Sequence, residues 1–309
     1  MFEHTEDDFR SGLVGVIGPP NAGKSTLTNR LVGDKVSIVT DKPQTTRNRI
    51  SGILNRGSDQ IVFLDTPGIH QTTRTMNQYF VETAWRTLAG VDAVLLVLDC
   101  PRYLRRPDAF EPETGLIAQR LSSFGLPLIV AANKTDAVGD KKELLPLLEQ
   151  LHAIWPGAEL FPVSAREGQG TGDLLEAIRG SLPPGPPLYP EDQLSTLPMR
   201  FLATEIIREK LFGLLTQELP YSIAVASEYW KEEPERGLVH LGCVIYVERR
   251  SHKGIVIGKG GSKLKQVGRE ARLELEELLE IRIHLQLWVK VKPGWTEDRR
   301  FLANLEPEE

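Results

Sequence analysis

Between Gly18 and Ser25 the chain reads Gly-Pro-Pro-Asn-Ala-Gly-Lys-Ser, a spacing suited to holding a polyphosphate. In such a loop successive backbone N–H groups wrap the β-phosphate, Lys24 reaches the β- and γ-phosphates, and the Ser25 hydroxyl ligates Mg²⁺. Pro20, Asn21, Ala22, Gly23 and Thr26 complete the cradle. The apolar run Leu13 to Ile17 precedes it, and Thr26 to Leu31 can open a helix whose N-terminus favours anions. The competing reading is a plain Gly/Pro-rich turn.

Asp65-Thr66-Pro67-Gly68 directly follows a second apolar run, 61–64. Asp65 at that point can hold Mg²⁺ through water, and the Gly68 N–H can contact the γ-phosphate, with Thr66 and Pro67 between them. In isolation this is a commonplace turn; forty residues after a phosphate loop it reads as the second half of a triphosphate site. Ile69 stands where Ras-like proteins carry the glutamine that orients the attacking water. An isoleucine orients nothing, so slow unassisted hydrolysis is expected, with Ile69 anchoring the segment.

Asn133-Lys134-Thr135-Asp136 closes another apolar run, 128–132. A carboxylate at Asp136 can accept from the N1–H and N2–H₂ of guanine, donors adenine does not offer, so the wrong base leaves buried polar groups unpaired. Helix N-capping is the bland alternative. Ser164-Ala165 would bring a backbone N–H near guanine O6. Residues 34–49 are expected to form a mobile switch in which a threonine, Thr46 rather than Thr45, ligates Mg²⁺ when the γ-phosphate is present. Lys24, Thr46 and Gly68 then act on the transferred phosphoryl group, and Ser25, Thr46 and Asp65 hold the Mg²⁺. Asn21 is a candidate oxygen ligand for a monovalent cation, K⁺, standing in for an arginine finger.

A different chemistry follows in the second half. Ile257-Gly258-Lys259-Gly260-Gly261 sets a Gly-x-x-Gly loop between two helical segments, and such a loop lets a nucleic-acid backbone approach while an adjacent groove holds about four unpaired nucleotides. Lys253, Lys259, Lys263, Lys265 and Arg269 can meet phosphates. From Arg249 to Arg272 there are eight Lys or Arg against one Glu, inside a chain of net charge −5. Such a stripe in an acidic chain points to one anionic partner at one place. Glu274, Glu276, Glu277 and Glu280 read as a solvated helix face. Trp288 reads as a packing residue of a strand face, Trp295 is ambiguous, and Arg102, Arg105 and Arg106 form a second basic cluster read as surface.

At 309 residues the chain allows about two domains. Five short Val/Ile/Leu runs, 13–17, 61–64, 94–98, 128–132 and 160–163, do not alternate, as doubly covered parallel strands should not. With helical patterns between them they imply an α/β layer fold; Ile50 to Leu54 can add an antiparallel edge strand. Four prolines within 182–187 mark a stiff spacer. Beyond it, helix, strand, strand, helices and strand describe a small α+β domain. The expected organisation is a tail over 1–11, a P-loop nucleotide-binding domain over 12–182, a Pro-rich linker over 183–198, an RNA-binding domain over 199–295 and a tail over 296–309. No run of eighteen apolar residues exists, the N-terminus is acidic rather than a secretory signal, and the two cysteines lack metal spacing. A cytoplasmic protein with reduced thiols is expected.

Taken together, these motifs resemble the Era family of bacterial GTPases, which join a Ras-like GTPase domain to a C-terminal type II KH domain. The resemblance rests on residues 20–25, Pro43-Gln44-Thr45-Thr46-Arg47, 65–68 and 133–136. The second half adds 205–210, Glu218-Leu219-Pro220-Tyr221, 256–261 and 287–292. It implies GTP and GDP as ligands, Mg²⁺ as cofactor, and binding near the 3′ end of small-subunit ribosomal RNA during maturation of the small ribosomal subunit. It also implies peripheral contact with the inner membrane; a monomer is expected. Residues 100–112 depart from the family pattern in being longer and more basic. Two other classes compete: a membrane-associated regulatory GTPase, which leaves the Gly258–Gly261 loop without a use, and a P-loop kinase, which Asn133–Asp136 opposes.

Overall fold

The computed structural model describes residues 9–40, 42 and 45–307. Pro43 and Gln44, most of the expected N-terminal tail and the last two residues lie outside the described residues. The chain divides into two compact units.

The first unit comprises Met1–Ser37, Thr46–Thr72 and Phe80–Thr196. Its strands are β1 (Arg10–Ile17), β2 (Ile50–Arg56), β3 (Asp59–Asp65), β4 (Ala93–Asp99), β5 (Leu128–Asn133) and β6 (Glu159–Pro162). They form one sheet in the order β2-β3-β1-β4-β5-β6, with β2 antiparallel to β3 and every other pair parallel. The apolar runs do not alternate because both faces are covered. On β4, Val94, Leu96 and Leu98 join one buried cluster, while Ala93, Leu95 and Val97 join the cluster on the opposite face. The helices are α1 (Lys24–Val32), α2 (Thr75–Thr87, of which Phe80–Thr87 belong to this unit), α3 (Cys100–Arg105), α4 (Phe110–Leu121), α5 (Leu144–Ile154) and α6 (Thr171–Ser181).

Register sets the strand ends side by side: Val16 pairs with Asp65, and Asp99 pairs with Asn133. Each motif of the first half therefore leaves the sheet at its carboxyl end, where open α/β sheets bind ligands. The basic segment after Cys100 is helical, and two of its three arginines are paired: Arg102 with Glu113, and Arg106 with Asp108.

The proline-rich segment, expected as a spacer, is bonded to the first unit through its length. The Ser11 hydroxyl donates to the Pro186 carbonyl at 2.6 Å, and the Gln60 side-chain oxygen accepts from the Leu188 and Tyr189 N–H groups at 2.6 and 2.8 Å. Asn55 donates to the Glu191 carbonyl, and the Ile53 N–H to the Leu194 carbonyl. The open backbone edge of β2 is thereby covered, which suppresses pairing with other chains.

The second unit comprises Ile38–Thr45, Thr73–Tyr79 and Leu197–Glu309. It holds α7 (Met199–Leu214), β7 (Ile223–Glu233), β8 (Leu238–Val247), α8 (Arg250–Ile257), α9 (Ser262–Leu279), β9 (Arg282–Val291) and α10 (Arg299–Ala303). The sheet order is β7-β8-β9, with β7 antiparallel and β9 parallel to β8. One apolar face of this sheet, with Ile245, Val247, Ile283 and Val289, packs with Ile206, Leu211, Val267 and Leu275 from α7 and α9. Trp295 is fully buried, which resolves its ambiguity as core, whereas Trp288 stands on the outward side of β9, 37% exposed. Among the described residues no helix is long and apolar enough to cross a membrane.

Candidate functional site

The loop from Gly18 to Gly23 runs from β1 into α1, and its shape explains its composition. Gly18 has φ +148°, and a Cβ there would lie 2.1 Å from the Val97 carbonyl oxygen. The Lys24 ammonium folds back onto the loop, donating to the Gly18 and Pro19 carbonyls at 3.2 and 3.0 Å. Burial pulls the Lys24 amine down to about 8, against the attraction of Asp65, and Lys134 adds to the depression. An anion arriving between these groups restores the full charge. Asn21, at φ 62°, is an exposed member of the loop.

Asp65 ends β3 and is fully buried. Its Oδ2 accepts from the Ser25 hydroxyl at 2.6 Å, while the Thr46 hydroxyl lies 2.8 Å from Ser25 Oγ and 3.5 Å from the same carboxylate oxygen. Burial pushes the Asp65 carboxyl above its ordinary range, against the pull of Lys24. Its other oxygen, Oδ1, is buried without a hydrogen-bond partner among the described residues. An orphaned carboxylate oxygen beside two hydroxyls is a hard-oxygen donor set that fits Mg²⁺. Thr45 is elsewhere, its hydroxyl engaged with the Thr40 hydroxyl and the Lys42 carbonyl. Of the two threonines, Thr46 is the one brought to the cluster.

Thr66 turns inward: its hydroxyl donates to the Val16 carbonyl at 2.8 Å. Pro67 is buried beside it. Gly68 lies so close to the phosphate loop that a Cβ would stand 2.7 Å from Pro20 Cα. The Ile69 N–H donates to the Gly18 carbonyl at 3.0 Å, and the Ile69 side chain is packed in the core. The position that carries glutamine in Ras-like proteins is thus a hydrophobic anchor.

Asn133 ends β5 and ties three segments together. Its amide nitrogen donates to the Ala22 carbonyl at 2.9 Å, and its oxygen accepts the Ala165 N–H at 3.0 Å. Of the two backbone N–H groups at Ser164-Ala165, one of which was expected near guanine O6, that of Ala165 is thus engaged with Asn133, and that of Ser164 donates to the Gln169 carbonyl. The Ser164 hydroxyl donates to Asp136 Oδ1 at 2.7 Å and orients that carboxylate. Lys134, at φ 65°, places its ammonium 2.6 Å from Asp99 Oδ2. No feature of the sequence pointed to Asp99 as that partner.

Part of the segment expected as a mobile switch is anchored within the second unit. Ile38 is fully buried in that unit's core, the Val39 N–H donates to Glu209 Oε1 at 2.9 Å, and Lys42 donates to the Phe212 and Leu215 carbonyls at the end of α7. An ammonium at a helix C-terminus meets the carbonyls that lack partners there.

In the second unit Gly258, Gly260 and Gly261 all have positive φ, at 75°, 61° and 80°, and turn the chain from α8 into α9. Lys253, Lys259 and Lys265 are exposed around this turn, with Ile257 and Lys263 half-buried. Beside it opens a cavity of about 400 Å³ whose rim carries Lys265, Arg269 and Arg272. Its floor is Leu264 with Leu285 and Leu287 of β9, the sheet's edge strand. Arg272 and the two β9 leucines were missed as groove residues in the sequence, although strict alternation puts the leucines on the helix-facing side. Glu276 is not simply solvated: it pairs with Arg272 at 2.8 Å and accepts the Ile283 N–H at 3.0 Å. Glu274 pairs with Lys210.

Known proteins carry the same two units. A family described as 50S ribosome-binding GTPase matches residues 13–134, and a KH domain family matches residues 218–296. A GTPase Era of Nitratidesulfovibrio vulgaris is 53% identical over 96% of both chains, and one of Desulfovibrio desulfuricans is 48% identical over 97% of this chain and 98% of its own. Among solved structures, a single-substitution variant of Aquifex aeolicus Era bound to GDP·AlF₄⁻ superposes with a TM-score of 0.89 at 38% identity, covering 96% of this chain and 98% of its own. Era in complex with MgGDPNP and nucleotides 1506–1542 of 16S ribosomal RNA gives a TM-score of 0.90 at the same identity and coverage. With a relative 53% identical along nearly its whole length and the guanine-nucleotide motifs in place, the chain belongs to the Era family of GTPases.

Proposed function

We propose that this GTPase binds GTP with Mg²⁺, hydrolyses it slowly, and holds unpaired RNA from the 3′ region of small-subunit ribosomal RNA in the groove of its KH domain, serving assembly of the small ribosomal subunit. The observation that carries the RNA half is the cavity beside the Gly258–Gly261 loop, walled by Lys265 and Arg269 and floored by leucines. Cationic rim and apolar floor match phosphates and bases respectively. A structural relative bound to nucleotides 1506–1542 of 16S ribosomal RNA supports the choice of RNA.

In the nucleotide half, Lys24 meets the β- and γ-phosphates, the Gly68 N–H faces the γ-phosphate, and Asp136 selects guanine. Ser25, Thr46 and Asp65 hold the Mg²⁺, which when bound neutralises charge on the phosphate oxygens. Since the Ile69 side chain is core, the attacking water is oriented by backbone or by a partner. A K⁺ ion at Asn21 supplies the missing positive charge in this reading; equal single-turnover rates in Na⁺ and K⁺ would refute it.

The nucleotide state sets RNA affinity by population shift. Thr46 of the metal-binding cluster follows closely in the chain on Lys42, which is bonded to the end of α7. Peripheral contact with the inner membrane, a monomeric state and a cytoplasmic location belong to the same proposal, and vesicle flotation and sedimentation test them.

The deciding experiment measures binding of the 1506–1542 RNA fragment to the intact chain loaded with GDP or with a non-hydrolysable GTP analogue. A difference in affinity is expected, abolished with binding itself by Lys259→Asp combined with Gly260→Asp. Undiminished RNA binding by that variant overturns the RNA assignment, and equal affinity in the two nucleotide states overturns the coupling. On the nucleotide side, Asp136→Asn is expected to move preference from GTP to XTP.

A further inference from the structure

Helix α9 is 18 residues long and carries a glycine, Gly268, at its seventh position. Glycine is the poorest helix former after proline, so an interior glycine weakens the helix unless something requires it. Backbone conformation does not require it, since Gly268 is absent from the residues with positive φ. Packing does not require it either: a Cβ built there meets only Leu287 Cδ1, at 3.5 Å, an ordinary van der Waals separation. Its neighbours Val267 and Ala271 are buried in the core, whereas Gly268 itself is part of the cavity lining together with Leu287 and Arg269.

We infer that Gly268 is a base-seating position of the RNA groove, left without a side chain so that a nucleobase can lie flat across the helix backbone and Leu287. A methyl group at 268 touches Leu287 from the side and raises a ridge on the apolar floor, lifting the base while Lys265, Arg269 and Arg272 still hold its phosphates. The space is kept for the ligand rather than for the protein. This inference rests on the reading of the groove as an RNA site.

The test is Gly268→Ala in the full chain, titrated with the 1506–1542 RNA fragment and melted in parallel. Alanine favours the helix and fits beside Leu287, so the unfolding midpoint is expected to hold or rise while the Kd for RNA rises by about tenfold. Single abasic substitutions scanned along the fragment's unpaired nucleotides are expected to find one position at which the variant and the parent chain bind equally, because the displaced base is already gone. An unchanged Kd for Gly268→Ala, with binding lost in the Lys259→Asp, Gly260→Asp chain, overturns the seating role and leaves the groove reading standing. A loss that persists at every abasic position also overturns it, since the substitution then acts through the protein. Undiminished binding by the Lys259→Asp, Gly260→Asp chain overturns the groove reading and this inference together.

Discussion

The side-chain amide of Asn133 donates to the main-chain oxygen of Ala22 at 2.9 Å, joining the end of β5 to the middle of the phosphate loop. Asn133 is 1% exposed, so neither group has water as a substitute partner. Asn133→Ala leaves the Ala22 carbonyl and the Ala165 N–H unpaired, at about 1–3 kcal/mol for each buried group. Calorimetric titration with GDP is expected to show affinity lowered by roughly tenfold to several hundredfold, with a lower unfolding midpoint. Unaltered GDP binding would show that the two loops hold their positions without this residue.

Thr46 sits in the cluster proposed to hold Mg²⁺. Its hydroxyl shares the Ser25 and Asp65 cluster, while Thr45 bonds to Thr40 and Lys42. Thr46→Ala is expected to weaken a non-hydrolysable GTP analogue by about tenfold or more in Mg²⁺ while leaving GDP affinity within about twofold. Thr45→Ala should not separate the two nucleotides. A swap of these outcomes would move the metal ligand to Thr45.

Gln60 fastens the proline-rich segment to the sheet. Besides accepting from Leu188 and Tyr189, its amide donates to Asn55 Oδ1 at 2.7 Å and to the Tyr189 carbonyl at 2.8 Å. Gln60→Ala is expected to cost about 1–3 kcal/mol through the polar groups it strands. In a unit of this size that lowers the unfolding midpoint by about 2–4 °C per kcal/mol. Proteolysis between Leu182 and Leu197 should quicken in step, and an unchanged cleavage rate would argue that the prolines alone hold the segment.

Burial pushes the thiols of Cys100 and Cys243 up from 9.0 to about 12, Asp99 adding to the first and Glu228 to the second. Both thiols are protonated at pH 8 and are expected to react with a disulfide reagent only on unfolding. The sign of the stability effect follows from linkage. Each raised folded-state pKa favours the folded chain fully below about pH 9, and that contribution is lost as pH rises toward 12. Urea unfolding is therefore expected to show stability declining from pH 9 upward. Rapid reaction of either thiol in the native chain at pH 8 would place it at the surface.

Several elements were legible because a local rule dictates them. The apolar runs 94–98 and 128–132 appear as β4 and β5. Gly18, Gly23, Gly68 and Gly258 stand where the backbone needs positive φ or a close approach, and those needs leave a mark on a few adjacent residues. Other features joined distant residues and left no such mark. The partnership of Lys134 with Asp99 and the hold of Gln60 on Tyr189 arise only when separate strands and loops are set side by side. Glu276 looked like solvated charge although Arg272, four residues earlier on α9, pairs with it at helical spacing, and its second partner, the Ile283 N–H, meets it only once α9 turns back onto β9.

The linear order of residues determined which ligand chemistry to expect of this protein, since a phosphate loop, an Asn-Lys-x-Asp motif ending at Asp136 and a Gly-x-x-Gly turn each depend on spacing within a few residues. Tertiary structure decided which of two threonines joins Ser25 and Asp65, that the Ala165 N–H is shared with Asn133, and that Leu285 and Leu287 floor a cavity beside Gly268. The physical reason is range. Backbone geometry acts between neighbours and is written in their types, whereas hydrogen bonds and cavities form between whichever groups the packed core brings within a few ångströms.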